Sequence, residues 1–277
     1  MKLKRWVEEA KQKVPRLDAE LIACAALGFS DRADIILHWE DRFDFAKADE
    51  MLKKRESGTP LAYVVGFREF YGRKFKVNPN VLIPRPETEQ VITSVLGIVD
   101  VLKKNSVTVL DVGTGSGCIP ITLKLELEAE GIKADVSAVD ISAPALETAK
   151  ENVKELKADV NFFYSDLLSG IDRLPDIITA NLPYVDMNWD WTSPEIKLEP
   201  ALALYSEDGG LAHIKKFLDQ VQEKSEAEIE RAIVKNMPPK FLVIEADTSQ
   251  HDIIIEYGKE RNIELVSRDG FILTMKY

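Results

Sequence analysis

Cysteine and histidine are scarce: 277 residues contain two of the first and three of the second. Cys24 and Cys118 lie far apart in apolar stretches, which argues against a disulfide framework and for buried thiols in a reducing compartment. No cysteine pair stands at ligand spacing, so neither a structural zinc nor another metal is expected. Long apolar runs are missing too: none approaches the ~18 residues that cross a bilayer, and no membrane association is expected. No apolar segment follows Met1-Lys2-Leu3-Lys4-Arg5-Trp6, so the expectation is no secretory signal and a cytoplasmic location. Basic excess is also lacking, with 36 Lys and Arg against 47 Asp and Glu and a net charge of −11. Proteins that grip a nucleic-acid backbone carry a basic excess or stripe. Only local clusters occur here, Lys53-Lys54-Arg55 and Arg73-Lys74 with Lys76, and they read as solvated helix or hairpin faces. Direct binding of DNA or RNA is therefore not expected.

What is present suits a globular protein. Hydrophobic residues make up 45% and charged residues 30%, enough for a proper core. The length fits one large domain, or one typical domain plus a small one. The first part reads as helices: Lys2 to Val14 stopped by Pro15, Leu17 to Leu27 closed by Gly28, a short helix capped by Ser30 and ending near Trp39, and Phe45 to Ser57. Between Pro60 and Pro79, β-formers broken by Gly66 and Gly72 predict a hairpin. Beyond Val81, strands and helices alternate. Seven strands are expected, at Val107–Val112, Asp135–Val139, Val160–Tyr164, Ile177–Ala180, Phe241–Ile244, Ile263–Val266 and Phe271–Met275, with a long helical region from about Gly210 to Val234. This pattern predicts an α/β fold, a mainly parallel sheet covered on both faces, with ligands at the carboxyl ends of its strands.

The motifs fall at those ends. Asp111-Val112-Gly113-Thr114-Gly115-Ser116-Gly117 is a strand running into a glycine-rich turn. Its spacing is GxGxG, not the GxGxxG of dinucleotide folds, and no GKS or GKT is present, so a pyrophosphate or triphosphate is not the obvious guest. Preceded by an acidic residue, the loop resembles motif I of the class I methyltransferases, which holds the methionine part of S-adenosylmethionine. Asp140 directly follows the second strand, where a carboxylate can accept both ribose hydroxyls; the alternative is an N-cap, a role that Ser142 fills better. After the third strand, Asp166 can accept the adenine amino group with Leu167 against the ring; a simple helix cap remains the alternative.

Asn181-Leu182-Pro183-Tyr184 follows the fourth strand, where amino- and amide-methylating enzymes of this class carry an (N/D)PPY turn. An amide nitrogen has its lone pair delocalised, as the roughly 18–20 kcal/mol rotation barrier shows. To attack a methyl group in line it must be held and partly rehybridised. Two acceptors do this: the Asn181 side-chain oxygen and the Leu182 backbone carbonyl. Tyr184 offers a ring face for stacking, and Pro183 stiffens the turn before the substrate arrives.

Longer stretches make the resemblance specific. Val81-Leu82-Ile83-Pro84-Arg85-Pro86-Glu87-Thr88-Glu89 resembles the VLIPRPETE motif of the protein-glutamine N5-methyltransferases that modify peptide chain release factors, the HemK/PrmC family. So do Gly58 to Gly66, Phe70-Tyr71-Gly72, Pro15 to Leu21, Glu199-Pro200-Ala201-Leu202-Ala203-Leu204 and Glu207-Asp208-Gly209-Gly210-Leu211. The resemblance implies a Rossmann-like, seven-stranded class I methyltransferase domain over 81–277, a helical domain over 1–58 that helps recognise the release factor, and a β-hairpin linker over 59–80. It implies S-adenosylmethionine as cofactor, S-adenosylhomocysteine as product and the glutamine of a GGQ tripeptide as target. Gly113, Thr114, Gly115, Ser116, Gly117, Asp140, Asp166, Leu167 and Asn181 would line the cofactor pocket, with Leu82 and Arg85 closing over it. Asn181, Leu182, Pro183 and Tyr184 would bind the glutamine amide, and a monomer is expected. Leu182 stands where the family usually has proline. NLPY is instead familiar from rRNA adenine dimethyltransferases, so an RNA adenine N6-methyltransferase is the alternative. A non-catalytic protein that has kept the fold is a further one, disfavoured by the intact Asn181 and Tyr184.

Overall fold

The computed structural model describes residues 1–189, 194–231 and 239–277. The chain divides into two compact units, the first made of Met1–Phe67, Val77–Pro79 and, among the described residues, Pro194–Leu198.

The first unit is helical: α1 (Leu3–Ala10), α2 (Arg16–Leu27), α3 (Ala33–Leu37), α4 (Ala46–Glu56) and α5 (Leu61–Val65). Leu3, Trp6, Val7 and Ala10 form the buried stripe of α1, and Trp6 stacks on Phe45 at 5.3 Å while its indole N–H donates to Asp49 at 2.7 Å. The helix ends at Ala10, short of the expected Val14; a tightened turn carries the chain to Pro15. Gly28 closes α2 as expected, at φ 73°, where Phe29 N–H reaches Cys24 O at 3.0 Å. Ser30 does not cap α3; its own N–H and hydroxyl donate to the Asp34 carboxylate, the stronger acceptor. Residues 61–65 were expected in a strand on their β-formers. They form a helical turn instead, because Pro60 at φ −51° starts it and Gly66 at φ 85° ends it, and Val64 is buried.

From Arg68 on, the second unit carries the hairpin of β1 (Phe67–Phe70) and β2 (Arg73–Lys76), in which Tyr71 and Gly72 both have positive φ and Phe70 meets Phe75 edge to face. A seven-stranded sheet follows: β3 (Ser106–Val112), β4 (Lys133–Asp140), β5 (Asn161–Tyr164), β6 (Ile177–Ala180), β7 (Phe241–Glu245), β8 (Glu264–Asp269) and β9 (Ile272–Lys276). Its order is β5-β4-β3-β6-β7-β9-β8, with β9 antiparallel to both β7 and β8 and the other pairs parallel. The chain reverses direction across the sheet between β3 and β6, which opens a crevice at their carboxyl ends. The helices are α6 (Glu89–Leu102), α7 (Cys118–Ala129), α8 (Ala143–Leu156), the single turns α9 (Ala201–Leu204) and α10 (Glu207–Gly210), α11 (Ala212–Arg231) and α12 (His251–Lys259). The expected end of the long helix near Val234 lies outside the described residues. Helix α6 was not foreseen, although Val91, Ile92, Val95 and Val99 bury one face at helical spacing. Apolar side chains fill both faces of the sheet, Phe217, Leu218 and Val221 of α11 on one and Ile121, Leu123 and Leu127 of α7 on the other. The seven strands stand where the alternation placed them.

Candidate active site

The loop between β3 and α7 turns on three left-handed glycines, with φ of 75° at Gly113, 56° at Gly115 and 78° at Gly117. Neighbouring strand β4 holds it: the Gly113 and Thr114 N–H groups donate to Val139 O at 2.9 and 3.1 Å. Asp140, one residue on, takes the Gly115 N–H on one oxygen and the Ser142 N–H on the other, each at 2.8 Å. Burial pushes the Asp140 carboxyl above its usual range, and the amides of Gly115, Ser142 and Ile141 pull against that rise. Ser142 caps α8 by accepting from Ala145, so the capping role falls to it as expected.

These residues wall a cavity of about 640 Å³. Gly113, Thr114, Gly115, Ser116 and Asp140 form one side, and Asn181, Leu182 and Pro183 another. Asp166, Leu167, Leu82 and Arg85 reach it too. Two expected residues do not line it. Gly117 lies behind the loop, where a Cβ would stand 3.1 Å from both Ala149 and Ile121, so its glycine serves packing. Tyr184 turns its phenol away to Glu245 Oε1 at 3.3 Å.

Loop and turn touch. A Cβ on Gly113 would lie 3.0 Å from Leu182 Cδ2, and Leu182 is buried. The helix-cap alternative for Asp166 falls away, because no helix follows it: residues 166–170 form a turn with Leu167 at φ 51°, held by Ser165 Oγ donating to Leu167 O at 2.8 Å. The Asp166 carboxylate pairs with Lys216 at 2.6 Å on a half-exposed surface.

Several supporting residues had no role assigned from sequence: Glu199 and Thr88 stand in the motifs quoted above, and Gln250 in none. Glu199, buried, binds Arg85 at 2.5 Å and the Ile83 N–H at 3.0 Å, so it fixes the 82–85 segment. Thr88 accepts the Asn181 Nδ2–H at 3.2 Å. Gln250 Nε2 donates to the backbone oxygens of Tyr184 and Gly209, both at 2.8 Å. Beside this clamp a Cβ on Gly210 would stand 2.0 Å from Tyr184 O, and Gly210 has φ 85°. Two buried carboxyls lie beneath the site. Asp111 accepts the Thr179 hydroxyl at 2.7 Å, and burial pushes it up to about 6. Burial likewise pushes Glu245 up to about 7. Among the described residues no group of three or more potential ligands could hold a metal.

Such a cavity can seat a ligand over an open glycine backbone and present acceptors from a stiff turn to a second reactant. The chain resembles several known proteins. Residues 3–66 match the PrmC N-terminal domain and residues 93–212 the Methyltransferase small domain. A release factor glutamine methyltransferase of Koribacter versatilis is 42% identical over 226 residues, covering 79% of this chain and 78% of that protein. One of Bacillus anthracis is 33% identical over 276 residues, covering 94% of this chain and 96% of that one. Among solved structures, a T. Thermophilus 16S rRNA N2 G1207 methyltransferase, in complex with AdoMet and guanosine, shares the fold. Its TM-score is 0.50 at 11% identity, over 76% of this chain and 48% of that one. With a likeness that runs nearly end to end at this identity, the chain belongs to the release factor glutamine methyltransferase family.

Proposed function

We propose that the chain transfers the methyl group of S-adenosylmethionine to the side-chain amide nitrogen, N5, of the glutamine in the GGQ motif of peptide chain release factors. The observation that carries this reading is that the Asn181 turn and the glycine loop wall one cavity. Its residues suit the cofactor. No atom lies within 4 Å of where a Gly115 Cβ would stand, so the loop backbone is open to a close ligand. Asp140 spends one lone pair of each oxygen on an amide and keeps others for a ribose diol. Asp166 and Leu167 border the end expected for adenine.

When bound, S-adenosylmethionine supplies an electrophilic methyl group on a sulfonium and leaves as S-adenosylhomocysteine. The chain's part is to hold the nucleophile. Asn181 Nδ2 is occupied by Thr88, which leaves Oδ1 to accept one N–H of the glutamine amide. The Leu182 carbonyl is assigned the other. Both bonds favour the pyramidal nitrogen of the transition state, and the extra proton of the N-methylated amide is lost to water once the methyl group has moved from sulfur to nitrogen. Pro183 keeps the two acceptors in register. Tyr184, the last residue of the turn, is held through its phenol and does not wall the cavity, so its contact with the target is to the incoming segment.

Residues 1–58 are assigned to recognition of the release factor, 59–80 to the linker and 81–277 to catalysis, in a cytoplasmic monomer without direct nucleic-acid binding. The rRNA alternative rests on Leu182 alone. The family relation and the net charge of −11 both favour a protein target. The test is tritiated methyl transfer to a release factor and to its GGQ Gln→Ala variant, with undermethylated rRNA in competition. Label that needs the glutamine supports the reading; equal label on the alanine variant, or label on rRNA alone, overturns it.

A further inference from the structure

Glu245 is the last residue of β7, and β7 pairs in parallel with β6 through Ala180 and Ile244, so one step further Glu245 stands beside Asn181. It is 1% exposed. A carboxylate so deeply buried is costly unless its oxygens are met by donors. Oε1 takes the Tyr184 phenol at 3.3 Å, while Oε2 makes no hydrogen bond. The polar groups that act on it are the side chains of Thr88, Tyr184 and Asn181, and Glu87 is the charged neighbour that opposes its ionisation.

Thr88 is the second half of the observation. It sits at the N-cap of α6, where a threonine hydroxyl ordinarily accepts a helix N–H, yet it makes no such cap bond. Its oxygen instead accepts Asn181 Nδ2–H at 3.2 Å. A hydroxyl that accepts there still has its own proton to donate, and the buried acceptor lacking one is Glu245 Oε2.

We propose that Glu245 is a positioning residue for methyl transfer: its carboxylate takes the Thr88 hydroxyl proton and the Tyr184 phenol, and so fixes both ends of the 181–184 turn. This rests on the reading of that turn as the amide-binding element. The chain runs from carboxylate to hydroxyl to carboxamide. With Thr88 committed to donate to Glu245, its oxygen can only accept from Asn181. The Nδ2 end of Asn181 then points to Thr88, and Oδ1 points to the glutamine amide. Without the carboxylate the Thr88 proton is free to donate to Asn181 Oδ1, which flips the carboxamide and presents a donor where the substrate also presents donors. Glu245 is not among the residues that wall the cavity, so binding of S-adenosylmethionine should not depend on its carboxylate.

The experiment compares wild type, Glu245→Gln, Thr88→Val and Thr88→Ser, each as the full chain, with a release factor as methyl acceptor. Glu245→Gln keeps the shape but replaces one acceptor with a donor. Its kcat should fall about thirtyfold, with the release-factor KM and the calorimetric Kd for S-adenosylmethionine within threefold of wild type. Thr88→Val should show a similar loss, and Thr88→Ser, which keeps the hydroxyl, should recover most of it. The double variant Glu245→Gln/Thr88→Val should be no slower than the slower single variant, because both break one chain. The proposal is overturned if Glu245→Gln turns over within twofold of wild type, if the losses multiply in the double variant, or if Thr88→Ser is as slow as Thr88→Val. If Glu245→Gln does not fold, the valine–serine comparison at Thr88 decides alone. Absence of glutamine methylation by the wild type would instead remove the reading of the function.

Discussion

Two segments meet across the cavity and are built in opposite ways. The loop 113–117 is made of its own backbone: three left-handed glycines, two amides tied to the next strand, and one carboxylate from the end of that strand. The turn 181–184 contains no glycine and is held by side chains that arrive from far along the chain, Thr88 on one flank and Glu245 and Gln250 on the other. The difference suits their tasks. A bound cofactor needs close approach to backbone, which glycine allows. A reacting amide needs acceptors aimed in fixed directions, which takes outside buttressing.

The sharpest way to break this contrast is at the buttress. Gly210→Ala places a methyl group 2.0 Å from Tyr184 O on a residue with φ 85°. The clash and the left-handed strain together should cost on the order of 3–5 kcal/mol of stability, read from urea unfolding. A variant as stable as wild type would show that the turn is not clamped there. Asn181→Ala should leave cofactor affinity nearly unchanged and slow transfer a hundred- to a thousandfold, about 3–4 kcal/mol in the barrier. Near-normal single-turnover rates would remove Asn181 from the chemistry.

The loop side makes smaller demands. Asp111 is pushed from 3.8 to about 6 by burial and, more weakly, by Asp140, against the hydroxyls of Thr179 and Thr114. An acid whose pKa is raised on folding contributes its full stability below the unfolded value and loses it as pH rises through the folded one. Asp111→Asn has no such loss. Its stability relative to wild type should therefore climb by on the order of 2–3 kcal/mol between about pH 4 and about pH 7. Parallel urea midpoints for the two proteins across that window would contradict the burial argument. Asp140→Ala should weaken S-adenosylmethionine binding about ten- to hundredfold by calorimetry, roughly 1.4–2.8 kcal/mol. Unchanged affinity would leave Asp140 a support for Gly115 and Ser142 only. Asp166→Asn loses a half-exposed ion pair with Lys216 and should change stability by less than about 1 kcal/mol. A larger loss would show that the 165–170 turn depends on that pair.

The same contrast explains what could be read from residues alone. The glycine loop, Asp140 and the seven strands were legible because each is specified by neighbours in sequence: a β-rich run, then glycines, then a helix. The turn could be recognised, but not what holds it. Nothing local marks Glu245 or Gln250; Glu245 ends an apolar strand, and only the pairing of β6 with β7 puts it beside Asn181. Glu199 binds Arg85 and Ile83 across more than a hundred residues of chain, a contact that only the fold creates. Residues 61–65 were misread for a different reason. Valine and tyrosine favour strands on average, yet a proline before and a left-handed glycine after enclose just enough residues for one helical turn. Helix α6 is marked in the sequence only by its apolar spacing, between two stronger motifs.

The contact between Gly113 and Leu182 has a consequence for how such a sequence can change over generations. The two positions share one wall, so a side chain added at 113 meets Leu182 as well as the strain of a φ of 75°, and a smaller residue at 182 relieves only the first. The residue before Pro183 thus answers to its neighbour in the glycine loop as well as to whatever enters the cavity.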